Sequence, residues 1–111
     1  MPDETPAVTD DTARQRYEIA LDGHVAFLTY RRRGDSVLLL HTEVPPAFQG
    51  RGFGQLLASH ALNQAREDGQ EVIVKCPFVT RWLERHPEYD DIVVARVQHT
   101  GEIERQPRDP R

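Results

Sequence analysis

The stretch Gln49-Gly50-Arg51-Gly52-Phe53-Gly54 sets three glycines at alternate positions between an apolar run and a helical pattern. A strand, a glycine-rich turn and a helix start can cradle a phosphate, because glycines let the backbone approach an anion and the first helical N–H groups point at it. It is not a Walker loop, which needs Gly-Lys-Ser/Thr where Gly54-Gln55-Leu56 stand. Nor is it a dinucleotide fingerprint, whose glycines fall at positions one, three and six after a parallel strand. A plain tight strand-to-helix connection would use such glycines too. Just before the loop, His41 and Glu43 lie two apart in an extended run, so both side chains face the same way. Cys76, the only cysteine, precedes Pro77 at the head of a second helical pattern. Reactive thiols favour such a position, but small buried apolar thiols are common as well.

These residues need elements to hold them. Asp22-Gly23 is the dipeptide that a two-residue type I′ hairpin requires, since both turn residues take positive φ. It predicts the pairs Leu21 with His24, Ile19 with Ala26 and Tyr17 with Leu28, and one apolar face shared by Tyr17, Ile19, Leu21, Ala26 and Leu28. After a second turn at Gly34-Asp35, the run from Val37 to Leu40 suits a strand buried on both faces, and Pro45 and Pro46 stop its pairing. From residue 53 the spacing becomes helical. Phe53, Leu56, Leu57, Ala61 and Ala65 form one stripe in a helix over 53–68, with Gly69 as its C′ glycine. A further inner strand, EVIVKC, leads to a short helix over 77–85 that Pro77 opens and His86-Pro87 breaks, with a brief turn or helix over 87–94. The order strand, strand, strand, helix, strand, helix describes an α/β layer on a mixed sheet whose three N-terminal strands are antiparallel. Residues 1–14 and 96–111 are polar and aperiodic, so the chain reads as one domain over 15–95 between a flexible N-terminal tail and a polar C-terminal tail.

Composition narrows the class. The 111 residues, 38% of them hydrophobic, suffice for one compact domain. The net charge of −4, from 18 acids against 14 bases, leaves no basic run long enough for nucleic acid. Arg31-Arg32-Arg33 is only a solvated strand end. A lone cysteine forms no internal disulfide and suits a reduced cytoplasmic setting. The N-terminus has no apolar signal core, and no apolar run approaches the roughly 20 residues of a membrane span.

The pattern Gln/Arg-x-x-Gly-x-Gly/Ala, present as Gln49 to Gly54, resembles the pyrophosphate loop of GNAT-type N-acetyltransferases. The resemblance extends to a minimal subfamily of about a hundred residues, in which the blocks HTEVPP, QGRGFG, CPF and RHPEY recur in order, and it covers residues 17–94. It implies a small α/β GNAT-like fold, acetyl-CoA or coenzyme A as cosubstrate, and acetyl transfer to an amine acceptor, either a protein lysine or N-terminus or a small amine. It also implies that the amides of Arg51, Gly52, Phe53 and Gly54, with Gln55 next in the helix, face the pyrophosphate. Gln49 would brace the loop, and the backbone at Val44 would pair with the pantetheine arm. Arg81 and Arg85 could touch the coenzyme's phosphates, although exposed helix arginines usually just face water.

On that reading His41 and Glu43 lie near the thioester. Glu43 then serves either as base for the amine or as a brace for the loop, and His41 either assists or is an inner histidine. Cys76 is a candidate acyl acceptor, a candidate proton donor to the leaving thiol, or a core thiol. Larger members often carry a catalytic tyrosine where Leu83-Glu84-Arg85-His86 stands here, so that role is vacant, and Tyr89 is the nearest substitute. The vacancy leaves a non-catalytic acyl-CoA-binding or partner-binding module as the alternative. No metal is expected, because His41, His86 and Cys76 include no closely spaced ligand pair.

Overall fold

The computed structural model describes residues 7–97 and 103–105. Among them the strands are β1 (Thr9–Asp11), β2 (Arg16–Leu21), β3 (His24–Arg33), β4 (Ser36–Glu43), β5 (Glu71–Val74), β6 (Val93–Val97) and β7 (Ile103–Arg105). The helices are α1 (Phe53–Glu67) and α2 (Pro77–Glu84), with 3₁₀ turns at Pro46–Phe48 and Pro87–Tyr89. One sheet takes the strands in chain order. It is antiparallel from β1 to β4, parallel across β4, β5 and β6, and antiparallel again at β7. The fold is thus the small mixed α/β layer expected from the sequence, with additions at both ends.

The hairpin forms as its turn dictates. Asp22 and Gly23 take φ of 54° and 79°, and β2 pairs with β3 in the register Leu21 to His24, Ile19 to Ala26 and Tyr17 to Leu28. The additions have little sequence signal. Thr9–Asp11, inside the stretch read as a tail, is polar throughout, yet it pairs with β2, and the Tyr30 hydroxyl donates to Asp10 Oδ1 at 2.5 Å. At the other end the 87–94 segment is a 3₁₀ turn followed by β6, so the sheet continues across the expected boundary at 95–96. Residues 1–6, 98–102 and 106–111 of the expected tails lie outside the described residues.

Both parallel crossovers advance the sheet in the same direction, and right-handed connections put α1 and α2 on one face. One core fills the layer between them. Tyr17, Ile19, Leu28, Leu39, Val72 and Val74 from the sheet meet Leu57, Ala61 and Leu62 of α1 and Val79 and Leu83 of α2. The helix stripe is as the spacing predicts, and Gly69 follows α1 with φ 68°. Only eight residues long, α2 has too few turns to be stable alone. Burial of Val79 and Leu83 therefore holds it in place.

The ladder between β3 and β4 has one irregularity. Tyr30 pairs with Leu39 and Thr29 with His41, so Leu40 is an extra residue on β4, a β-bulge. The bulge reverses side-chain parity. Beyond it Thr42 lies opposite buried Leu28 on the helix side, while His41 and Glu43 lie opposite Thr29 and Phe27 on the face without helices.

Since Leu83 is 1% exposed, Leu83→Ala should cost about 2–5 kcal/mol in urea denaturation. A cost below about 1 kcal/mol would mean that α2 is not anchored through its buried face.

Candidate functional site

Pro77 decides where the sheet opens. β4 stays paired with β3 through Glu43, but its pairing with β5 ends at Leu39–Val74. The last bond between them runs from the Lys75 N–H to the Leu39 carbonyl, 2.8 Å. Cys76 then caps α2 and Pro77 is its first residue. Proline has no N–H to donate and its fixed φ suits a helix start. Among the described residues, the β5 side of β4 beyond Leu39 is therefore an edge without a strand partner. The Thr42 Oγ1 and the Cys76 Sγ meet across this gap at 3.3 Å.

A cleft of about 510 Å³ lies along that edge, bounded by Thr42 and Val44, the glycine loop, the start of α1 and Phe78 of α2. Val44, Gln49, Gly50, Gly52, Phe53, Gly54 and Gln55 all line it, so seven of the eight residues expected to hold a ligand come together. Arg51 is the eighth. Its guanidinium lies 5.3 Å from the Phe53 ring and 5.9 Å from the Phe48 ring, and its N–H donates to the Phe48 carbonyl at 3.1 Å. That amide therefore already has an acceptor. The first helical bond of α1 runs from Leu56 N–H to Gly52 C=O, which leaves the N–H groups of Phe53, Gly54 and Gln55 without an acceptor inside the helix. Gly52 is the N-cap with no side-chain cap bond, and no acid occupies the first turn. Such a terminus favours an anion.

The glycines serve two purposes. Gly50 and Gly52 take φ of 78° and 76°, a left-handed conformation that side chains disfavour. A Cβ at Gly52 would meet no atom within 4 Å. Gly54 is helical, and a Cβ there would lie 2.8 Å from Phe78 Cζ. It lets Phe78 close the cleft, a role the spacing of the glycines alone did not distinguish. Gln49 braces the turn: its Nε2 donates to the Val44 carbonyl at 3.4 Å. Underneath, Phe48 is 1% exposed and meets Phe53 edge-on at 4.6 Å.

Of the expected chemical groups, only Cys76 reaches the gap. It is buried at 4% exposure, and its carbonyl accepts from the Thr80 N–H. His41 and Glu43 do share a face and are hydrogen-bonded at 3.3 Å, but both are well exposed on the helix-free side, away from the cleft lining. Thr42 takes the inward position. A parity count misses it, because the bulge at Leu40 has no sequence signal. Tyr89 also lies elsewhere: its hydroxyl donates to Asn63 Oδ1 at 2.6 Å, and Arg66 sits over its ring. Trp82 belongs to the core and stacks on His86 at 3.9 Å. Among the described residues, the groups with displaced acidities do not line the cleft. Burial, then the bond to Asp10, raises Tyr30, while the Arg66 hydrogen bond lowers Asp91.

An open strand edge beside free helix N–H groups defines a class of site that holds an extended, amide-bearing chain ending in an anion. The chain belongs to the GCN5-related N-acetyltransferase family, whose profile matches residues 16–92. It is similar to Protein NATD1 of Xenopus tropicalis, 30% identical over 89 residues that cover 78% of this chain and 82% of the relative. It is likewise similar to Protein NATD1 of Homo sapiens, 31% identical over 83 residues covering 72% and 74%. The NMR solution structure of a GCN5-like putative N-acetyltransferase from Staphylococcus aureus superposes with a TM-score of 0.64 at 26% identity, covering 78% of this chain and 86% of that one.

Gly54→Ala should force the Phe78 ring aside and lower stability by about 1–3 kcal/mol in urea denaturation, as overpacking does. Phe78→Leu in the same background should restore part of the loss, because the bulk at the contact is reduced. An unchanged midpoint for Gly54→Ala alone would mean that the contact with Phe78 is not tight.

Proposed function

We propose that the protein binds acetyl-CoA in the cleft and transfers its acetyl group to an amine. The observation that carries this reading is the meeting, in one cleft, of the unpaired edge of β4 with the free N–H groups of Phe53, Gly54 and Gln55. The pyrophosphate is the anion these N–H groups suit. The pantetheine amides suit the strand edge at Val44, where Gln49 already occupies part of the carbonyl's accepting capacity. That arrangement runs the thioester toward the Thr42–Cys76 gap. The single thiol suits a reduced, cytoplasmic setting, and the acceptor in this reading is a protein lysine or N-terminus or a small amine.

Acetyl transfer to an amine needs a neutral nucleophile, a carbonyl held near it and a proton for the departing thiolate. In our reading the Cys76 thiol, hydrogen-bonded to Thr42 Oγ1, supplies that proton. The hydrogen-bonded His41 and Glu43 accept the amine's proton from the open face of the sheet. A direct attack of amine on thioester leaves no acyl group on Cys76. One observation favours the second reading, a non-catalytic acyl-CoA-binding module: the Tyr89 hydroxyl is tied to Asn63, so it does not fill the vacant tyrosine role. Transfer assays with a broad amine panel separate the two, since a binding module acetylates none.

Calorimetry should detect coenzyme A binding to the wild type, and Gly52→Val should weaken it at least about tenfold, which is 1.4 kcal/mol. The space at Gly52 is open, so the loss would come from a β-branched residue refusing the left-handed backbone. A folded Gly52→Val protein with wild-type affinity would move the site elsewhere.

Cys76→Ala should lower turnover by about a hundredfold while coenzyme A affinity stays near wild type. Glu43→Gln should lower turnover alone by a smaller factor. Unchanged turnover in both variants would return the two residues to structural roles. An acetyl-Cys76 adduct passing its acetyl group to amine at the steady-state rate would make the cysteine the nucleophile instead.

A further inference from the structure

The ladder divides the run Arg31-Arg32-Arg33. Arg32 turns to the helix side, where its guanidinium lies 4.9 Å from the Tyr30 ring and donates to the Tyr17 hydroxyl at 3.5 Å. Side chains alternate along a strand, and Leu28 and Tyr30 are buried, so Val25, Phe27, Thr29, Arg31 and Arg33 make one row on the face without helices. Arg31 and Arg33 are exposed and form no ion pair among the described residues, in contrast to Arg14, Arg16, Arg32, Arg66 and Arg96. The other end of the row is apolar. Among the described residues Val25 is the one exposed large hydrophobic side chain, and half-buried Phe27 has the Arg16 guanidinium 4.3 Å and the His41 ring 6.3 Å from its own ring. Arg16 is already paired with Glu18, while Glu43, opposite Phe27, is bonded to His41. Glu71 shares the face one strand beyond, in register with Ser36, so the cationic end is confined to β3.

We propose that this row is the docking strip for the acceptor, and that the acceptor is a lysine in an extended protein segment with an acidic residue four positions away. The inference rests on the reading that the protein acetylates an amine, and it selects one class among the acceptors that reading allows. Phe27 and Arg31 stand about 13 Å apart at 3.3 Å per residue, and residues four apart in an extended segment point to the same side at that same spacing. The lysine then lies over Phe27 beside Glu43, and the acid lies over Arg31, with Arg33 as a second cation. The ring takes the methylene stem of the lysine. Pairing of guanidinium with carboxylate sets the register of the segment. Charge and length together name the partner: a small monoamine does not span both ends of the row, and a polyamine brings no anion to Arg31.

Three N-terminally blocked peptides, each with a single lysine, and one small primary amine distinguish this proposal from the reading it rests on. The first peptide carries Glu four positions to either side of the lysine, the second carries Gln there, and the third carries the two Glu residues next to the lysine. With saturating acetyl-CoA at one fixed salt concentration, kcat/KM for the first should exceed that for the second by about fivefold through KM, the scale of an exposed ion pair. The third should match the second. Arg31→Gln combined with Arg33→Gln should abolish the preference and leave turnover of the small amine unchanged. Equal kcat/KM for the first two peptides, or acetylation of the small amine but of no peptide, would overturn the strip while leaving the transfer reading standing. So would a preference that survives in the variant, or a third peptide as good as the first, which would mark diffuse attraction. Transfer to none of the four would overturn both.

Discussion

Everything at the site depends on two neighbouring parallel strands parting company. β4 and β5 share four register pairs and then separate, because Cys76 and Pro77 turn the chain into α2 while β3 keeps β4 extended to Glu43. A proline one residue later would prolong the ladder and close the edge. As it stands, the edge opens beside the start of α1, whose unsatisfied N–H groups face the same cleft. The hydrophobic layer makes this possible: α2 is too short to hold itself, and burial of Val79 and Leu83 against the sheet keeps its first residue, and hence Cys76 and Phe78, in place.

The bulge at Leu40 is the second constraint. In a regular ladder His41 would continue the inward series set by Val37 and Leu39, and Thr42 would face outward. With one extra residue, Thr42 meets Cys76 across the gap, and the hydrogen-bonded His41 and Glu43 stand on the face the helices leave uncovered. The same insertion thus distributes polar groups to both sides of the parting strands. A cosubstrate held on the helix side and an acceptor arriving from the other side could meet there without either displacing a helix.

Some of this is legible in the sequence for physical reasons. Asp22-Gly23 specifies a turn and therefore a register, and the stripe from Phe53 to Ala65, ended by Gly69, specifies a helix and its buried face. Pro77 marks the start of α2. The glycine loop identifies the cleft because backbone conformation is written directly into residue type at Gly50 and Gly52. What the sequence withholds depends on tertiary contact. Thr9–Asp11 is a strand only because β2 offers an edge and Tyr30 a hydroxyl. Val93–Val97 is too short a run to announce itself after a proline-led turn. Parity counting assumes an unbroken ladder, so it carries His41 and Glu43 toward the cleft and leaves out Thr42. Gly54 looks like its two neighbours in the motif, yet the need for it is set by the Phe78 ring on another helix.

If the open edge of β4 and the first turn of α1 form one ligand site, both must respond together to a single ligand. An amide-resolved NMR titration with coenzyme A reads this directly. Saturable shifts should concentrate at the amides of Val44, Gly52, Phe53, Gly54 and Gln55, with those of the β2–β3 hairpin turn unmoved. Shifts confined to the helix-free face around Phe27, Thr29 and His41, or no shift at saturating ligand, would contradict a shared site.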